Sequence, residues 1–273
     1  MGSWTLPAHA YEADRFGCRD DLFGNSGFLL VTFHNIYDGL FAGKPYDEEI
    51  SKALKLLGGR PKRILEAGCG TGRHTEILLQ RGLHVVAVDP DPAMLRRAKE
   101  RNRSYLGRSF RPLLGSVEAF PRGRVDGAIS LFHVVNYIQT EQQLLRFFSG
   151  LSRRLKKNKH LVFDAWNGLA AISDPPRRNS PVRRVRVDGH CYECRMRTDT
   201  DLWRMRSKIT VRISSRGRLL ATYRYNHRIW LPEEIRGLLE VSGFRCDRIS
   251  TWAHPAKPAT AKDWKILFLA RKV

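Results

Sequence analysis

The run Ile64-Leu-Glu-Ala-Gly-Cys-Gly-Thr-Gly72 constrains this chain more than any other stretch. An apolar segment leads into glycines at 68, 70 and 72, and the helical pattern of His74-Thr-Glu-Ile-Leu-Leu-Gln80 follows at once. A strand turning sharply into a helix has this form, because residues without Cβ reach left-handed backbone conformations and let a ligand approach the main chain. A tight structural turn with no ligand is the competing reading, so the surroundings decide. His84-Val-Val-Ala-Val88 reads as a second strand, and Asp89 stands at its end, seventeen residues past Gly72. An acid there is placed to hold both hydroxyls of a ribose; the alternative is a capped turn.

The alternation continues downstream. Asp91-Pro92 supplies an N-cap and a proline at the first helical position, which predicts a helix to about residue 101. Strands are expected over 110–114 and 125–131. Thr140 with Gln143 forms a capping box for a helix to about 155, and a fifth strand covers 160–164. Strands alternating with helices at this spacing predict a parallel, doubly wound α/β sheet. The rhythm changes over 182–230, where β runs at 185–187, 190–196, 208–213 and 219–230 are separated by turn signals at Asp188-Gly189 and Arg216-Gly217. That pattern predicts an antiparallel insertion. A helix over 232–242 closed by Gly243 and two strands, 244–252 and 264–271, complete the chain. The expected division is an N-terminal helical lid segment (1–58, with a helix over 25–40), a core (59–173), the β insertion over the acceptor site (174–230), and a C-terminal part completing the core (231–273).

Composition adds one constraint. Lys and Arg number 48 against 27 Asp and Glu, a formal net charge of +21. Nucleic acid, phosphorylated small molecules or an acidic membrane surface would each suit that balance. The apolar run at 28–33 is too short to span a membrane. Residues 1–20 lack a basic region followed by an apolar one, so a cytoplasmic location and no membrane partner are expected. Among five cysteines the one close pair is Cys191-Tyr-Glu-Cys194. With no second pair nearby, and with positions three apart on a strand facing opposite ways, the expectation is structural thiols and no metal.

Glu66-Ala-Gly-Cys-Gly-Thr-Gly72 followed by Val86-Ala-Val-Asp-Pro90 resembles the cofactor site of class I S-adenosylmethionine (SAM)-dependent methyltransferases. A dinucleotide-binding GxGxxG is absent, since position 73 is Arg. The stretches Tyr37–Tyr46, Ser130–Ile138, Phe163-Asp-Ala-Trp166 and His227-Arg-Ile229 extend the likeness to small-molecule methyltransferases, in the style of sugar N,N-dimethyltransferases acting on nucleotide-linked amino sugars. The resemblance implies a Rossmann-like sheet of seven strands, the last antiparallel, with extra strands forming part of an acceptor chamber. It implies SAM as cofactor, with S-adenosylhomocysteine as its product. Glu66, Gly68, Gly70 and Gly72 would line its methionine half and Asp89 would bind its ribose, with Cys69 and Pro90 also at the cofactor. Ser116, Val117 and Leu131 would complete the site, and Tyr37 and Tyr46 would close over it. Where the family has Gly-Asp after the third strand, this chain has Gly115-Ser116, which moves the adenine contact to Ser116 or Glu118.

Methyl transfer from a sulfonium asks mainly for in-line alignment and exclusion of water. A neutral amine needs at most a weak base, whereas a hydroxyl needs a real one. His133, Tyr137 and His227 are the catalytic candidates, and Asp164 and Trp166 the acceptor-binding ones. Each also has a bland reading: a backbone hydrogen bond for His133, packing for Tyr137, a turn cap for Asp164, hairpin support for His227. Arg73 and His74 stand either beside the cofactor's carboxylate or at exposed first-turn positions. No Asn/Asp-Pro-Pro-Tyr/Phe follows the fourth strand and no Pro-Cys or Thr-Cys nucleophile is present, which speaks against common forms of nucleic-acid base methylation. The leading expectation is a small-molecule methyltransferase whose acceptor is phosphorylated or nucleotide-linked, with homodimerisation left open. An RNA methyltransferase and a non-catalytic regulatory protein are the alternatives.

Overall fold

The computed structural model describes residues 33–119 and 123–273. The elements begin with α1 (Phe33–Leu40), α2 (Tyr46–Leu57), β1 (Arg63–Ala67), α3 (Arg73–Gln80), β2 (His84–Asp89), α4 (Pro92–Arg101), β3 (Phe110–Leu114) and β4 (Gly127–Ser130). Next come α5 (Val134–Tyr137), α6 (Glu141–Arg154), β5 (His160–Trp166), α7 (Gly168–Ser173) and β6 (Arg183–Val187). The chain ends with β7 (His190–Asp201), β8 (Arg206–Ser215), β9 (Arg218–Arg228), α8 (Pro232–Val241), β10 (Phe244–Thr251) and β11 (Lys265–Lys272). Of the helix expected over 25–40, residues 33–40 are helical and the remainder lies outside the described residues. The fourth strand is shorter than expected. Val125 makes only an isolated bridge to Leu155 before the ladder proper begins at Gly127.

Two compact units result: among the described residues, one comprises 46–175 and 227–273 and the other 33–45 and 176–226. The larger unit holds a seven-stranded sheet in the order β10-β11-β5-β4-β1-β2-β3. Strands β1 to β5 are parallel, while β11 runs antiparallel to both β5 and β10. The Rossmann-like fold with its last strand antiparallel is therefore present. Helices on both faces of the sheet explain why β1, β4 and β5 are buried almost end to end. Chain order reverses between β1 and β4, which opens a crevice at their carboxyl ends.

The helix ends are set by short-range chemistry. Asp91 Oδ1 accepts from the backbone N–H of Ala93 at 2.8 Å and Met94 at 3.2 Å, and Pro92 follows it. Thr140 and Gln143 make both halves of a capping box, and Leu144, Phe148 and Leu151 form the buried stripe of α6. The Glu234 carboxylate accepts from Leu231 N at 2.7 Å to start α8.

In the smaller unit β6 to β9 form a separate four-stranded antiparallel sheet. Asp188-Gly189 and Arg216-Gly217 both adopt consecutive positive φ angles, the backbone of tight hairpin turns. Ile209, Val211 and Ile213 alternate inward with Tyr192 and Cys194, and Ile36 and Leu40 of α1 join this core. Cys194 is a free, buried thiol, but Cys191 is disulfide-bonded, so the expectation of structural thiols fails at that position. The two do not bridge each other. Three residues apart on β7, they point to opposite faces. Among the described residues no helix is long and apolar enough to cross a membrane.

Candidate active site

The turn after β1 is clamped to the end of β2: the N–H groups of Gly68 and Cys69 donate to the Val88 carbonyl at 2.8 and 3.2 Å. Gly68 and Gly70 both have positive φ, 77° and 55°. A Cβ on Gly68 would come within 2.5 Å of Val134 at the start of α5, whereas one on Gly70 would point into open space. Gly70 therefore keeps a cradle clear beside Asp89. The Asp89 carboxylate accepts from Gly70 N at 2.7 Å through Oδ2 and from Asp91 N at 2.9 Å through Oδ1, which fixes it at the mouth of the turn.

Glu66 lies underneath, 2 % exposed, and accepts from the Thr75 hydroxyl at 2.5 Å. Burial pushes its carboxyl up to about 8; the Thr75 hydrogen bond opposes that rise and the charge of Asp89 adds to it. Cys69 is buried, and burial, with the negative charge of Glu66 and Asp89, holds its thiol well above the usual range. Leu131 is likewise buried below the turn.

Beside Gly68 a cavity of about 390 Å³ opens between the ends of β2 and β3 and helices α5 and α6. Pro90, Ser116, Val117 and Glu118 form one wall, and Val134, Tyr137, Ile138 and Phe147 the other. Ser116 donates to Glu118 at 3.3 Å, so the two groups expected to compensate for the missing Asp stand together. A largely apolar cavity with a few polar groups suits a purine. With the open cradle at Gly70, the residues present fit SAM.

On the other side of α5 a second cluster forms. The His227 ring lies 4.5 Å from the rings of both Tyr137 and Trp166, edge to face in each case. His133 is 6.1 Å from Trp166, and its Nδ1 is 2.9 Å from Asp164 Oδ2. His133 and His227 thus meet at Trp166, with Tyr137 joined through His227 and Asp164 through His133. Asp164 differs from the expectation of acceptor contact. Its side chain has no exposed surface, and Oδ1 accepts from Phe132 N at 2.6 Å and His133 N at 3.3 Å. Burial, reinforced by the charge of His133, holds His227 down at about 3, so its ring is neutral at physiological pH.

Other expected residues are placed elsewhere. Tyr37 belongs to the smaller unit, where it packs against Phe33 and Phe41. Tyr46 packs 5.0 Å from His74, and the Arg73 guanidinium lies 5.9 Å from the Tyr46 ring. His74 is not an exposed first-turn residue: it is buried, with Nε2 2.7 Å from Glu49 Oε2. Sequence reasoning missed Glu49, Lys265 and Asn136. Asn136 is fully buried, donating to the Arg228 carbonyl at 2.9 Å and accepting from Trp166 N at 3.0 Å, which ties α5 to β5. Glu49 was detectable as an acid on the same helical face as the buried Ala53, four residues on.

Residues 64–158 match the model of a family described as a methyltransferase domain. A putative methyltransferase of Bacillus subtilis, YqeM, is 28% identical over 141 residues, covering 50% of this chain and 55% of that protein. The 18S rRNA (guanine(1575)-N(7))-methyltransferase of Saccharomyces cerevisiae is 36% identical over 120 residues, 41% of this chain and 43% of that protein. The chain thus spans about half the length of these relatives. Solved structures of the same fold include SAM-bound CalS10, an amino pentose methyltransferase from Micromonospora echinaspora, with TM-score 0.66 and 21% identity over 92% of this chain and all of that one. DesVI of Streptomyces venezuelae has TM-score 0.69 and 18% identity, covering 87% and 98% of the two chains. Residues 64–158 are thus similar to a methyltransferase domain, and the fold is shared with solved SAM-dependent methyltransferases.

Proposed function

We propose that this protein transfers a methyl group from SAM to an amine or hydroxyl of a small molecule, a sugar or other natural product. The observation that carries the reading is the double role of Tyr137. It lines the cavity beside Gly68 and also packs on His227, so the cofactor cavity and the His133–Trp166–His227 cluster share a wall. When bound, SAM supplies an electrophilic methyl on a sulfonium. Glu66, Gly68 and Gly70 would hold its methionine part, Asp89 its ribose hydroxyls, and Pro90, Ser116 and Val117 its adenine. The aromatic rings of Tyr137 and Trp166 would orient the acceptor and keep water out, which is most of what methyl transfer requires. A phosphorylated or nucleotide-linked acceptor fits the excess of basic residues, and the amino pentose methyltransferase CalS10 among the structural neighbours supports the acceptor class.

A second reading, methylation of RNA, is favoured by the yeast 18S rRNA relative and by the basic outer face of the four-stranded sheet. Incubating the protein with methyl-labelled SAM and, separately, amino- and hydroxy-sugar nucleotides or total RNA tests the two readings. Label in the small-molecule fraction is expected. Label only in RNA would replace the first reading with the second.

A further inference from the structure

Behind His133 runs a chain of buried and half-buried ionisable groups drawn from four elements. Asp164 on β5 faces His133 Nδ1 through Oδ2, and the same oxygen lies 3.4 Å from Lys265 Nζ on β11. Lys265 also donates to Glu49 Oε1 on α2 at 3.2 Å, and Glu49 Oε2 meets His74 Nε2 on α3. The Lys265 ammonium sits 3.3 Å from the centre of the Trp252 ring, so its donors and charge are held on one side by an aromatic face. Asp164 acts on the backbone as well. Phe132 and His133 both adopt left-handed φ, 73° and 60°, uncommon for residues with a side chain, and the N–H groups so aligned converge on Asp164 Oδ1. One carboxylate therefore fixes the turn that carries His133 and stands at ion-pair distance, 2.9 Å, from the edge of its ring.

We propose that His133 is the general base that takes the acceptor's proton, with Asp164 as the positioning residue beside its ring and Lys265, braced by Glu49, as the residue that holds Asp164 in place. The inference rests on the methyltransferase reading. With Nδ1 turned to the carboxylate, the ring presents Nε2 on its opposite edge as the basic atom. The O–H or N–H bond of the acceptor breaks as Nε2–H forms, and the acceptor keeps the electron pair with which it takes the methyl. The proton leaves to solvent from the imidazolium after transfer, so one proton is released per methyl gained. His227, the other imidazole beside Trp166, does not compete, since burial keeps it a poor base. The chemistry called for is an acceptor atom that must lose a proton, whether hydroxyl oxygen or ammonium nitrogen.

The groups facing His133 are Asp164 from β5, His227 from the end of β9 and, through Asp164, Lys265 from β11; Glu49 and His74 lie beyond Lys265. Imidazole NMR of the ¹⁵N-histidine-labelled full chain reads this arrangement directly, with His133→Gln assigning the signal. The wild-type ring is expected as the Nδ1–H tautomer when neutral. Asp164→Asn should lower the His133 pKa by about one unit or more, and Lys265→Met, which leaves the carboxylate unopposed, should raise it. The pH profile of methyl transfer to the labelled acceptor should move with the His133 pKa in both variants, which a purely structural histidine does not produce. An Nε2–H tautomer in the wild type, or a His133 pKa unmoved by Lys265→Met, would overturn the proposal, and the tautomer needs no variant to fold. S-adenosylhomocysteine titrated into the same samples separates the two layers. Its failure to bind the wild type removes the methyltransferase reading, whereas binding with an unmoved His133 removes only the positioning chain.

Discussion

Glu66 shows how a single buried residue couples the site to pH. Its carboxyl titrates near 8 in the folded protein against an ordinary value of 4.5. Between those values the folded chain holds a proton that the unfolded chain has released, so the contribution of Glu66 to stability is complete below about 4.5 and is lost as pH rises through 8. Urea midpoints of the ligand-free protein compared at pH 5 and pH 8.5 should therefore fall more in the wild type than in Glu66→Gln. Equal slopes would place Glu66 in a wetter setting than the one seen. A bound cation, whether the sulfonium or the amino group of SAM, favours the ionised carboxylate. Binding at pH 7 should release protons to the buffer, and that release should vanish in Glu66→Gln.

At the scale of elements, the parts of the fold legible in the sequence are those with local causes. The glycine turn, the Asp91-Pro92 cap and the Thr140–Gln143 capping box each stand where the residues alone put them. Thr140→Ala should cost about 1 kcal/mol of stability by urea denaturation, the usual loss for an N-cap hydroxyl. Because α6 also supplies Phe147 and Arg146 to the cavity wall, cofactor affinity should drop with it. No loss in either quantity would show that tertiary packing alone holds the helix start. The short helix α5 was not legible for a physical reason. It is entered through a left-handed pair, Phe132 and His133, where local rules call for Gly or Asn, and the turn is held by a carboxylate 31 residues away in sequence. The candidate site divides the same way. His133, Tyr137 and Trp166 could be picked out because they follow strand ends, and Asp89 because it ends one. Lys265 and Glu49 could not be paired, since 216 residues separate them and only the fold brings α2 to β11.

For the whole molecule, the net charge of +21 suggests polyanions, and its distribution refines that suggestion. On the exposed face of the four-stranded sheet the register sets Arg195 opposite Arg212, while Glu193 and Asp199 pair with Arg184, Arg195, Arg178 and Arg197. Such exposed pairs add little stability, and the remaining cations bind polyanions without sequence preference. Filter binding of total RNA should be measurable at roughly 50 mM salt and largely gone by about 200 mM. Salt-resistant binding would strengthen the RNA reading at the expense of the small-molecule one.

The central claim is that the glycine turn, Asp89 and the adjoining cavity form a SAM site. Isothermal titration with S-adenosylhomocysteine tests it without any knowledge of the acceptor. The account predicts saturable one-to-one binding to the wild type, weakened at least tenfold by Asp89→Ala, because an acid that holds both ribose hydroxyls is lost. An affinity unchanged in Asp89→Ala, or no heat of binding at all in the wild type, would contradict it.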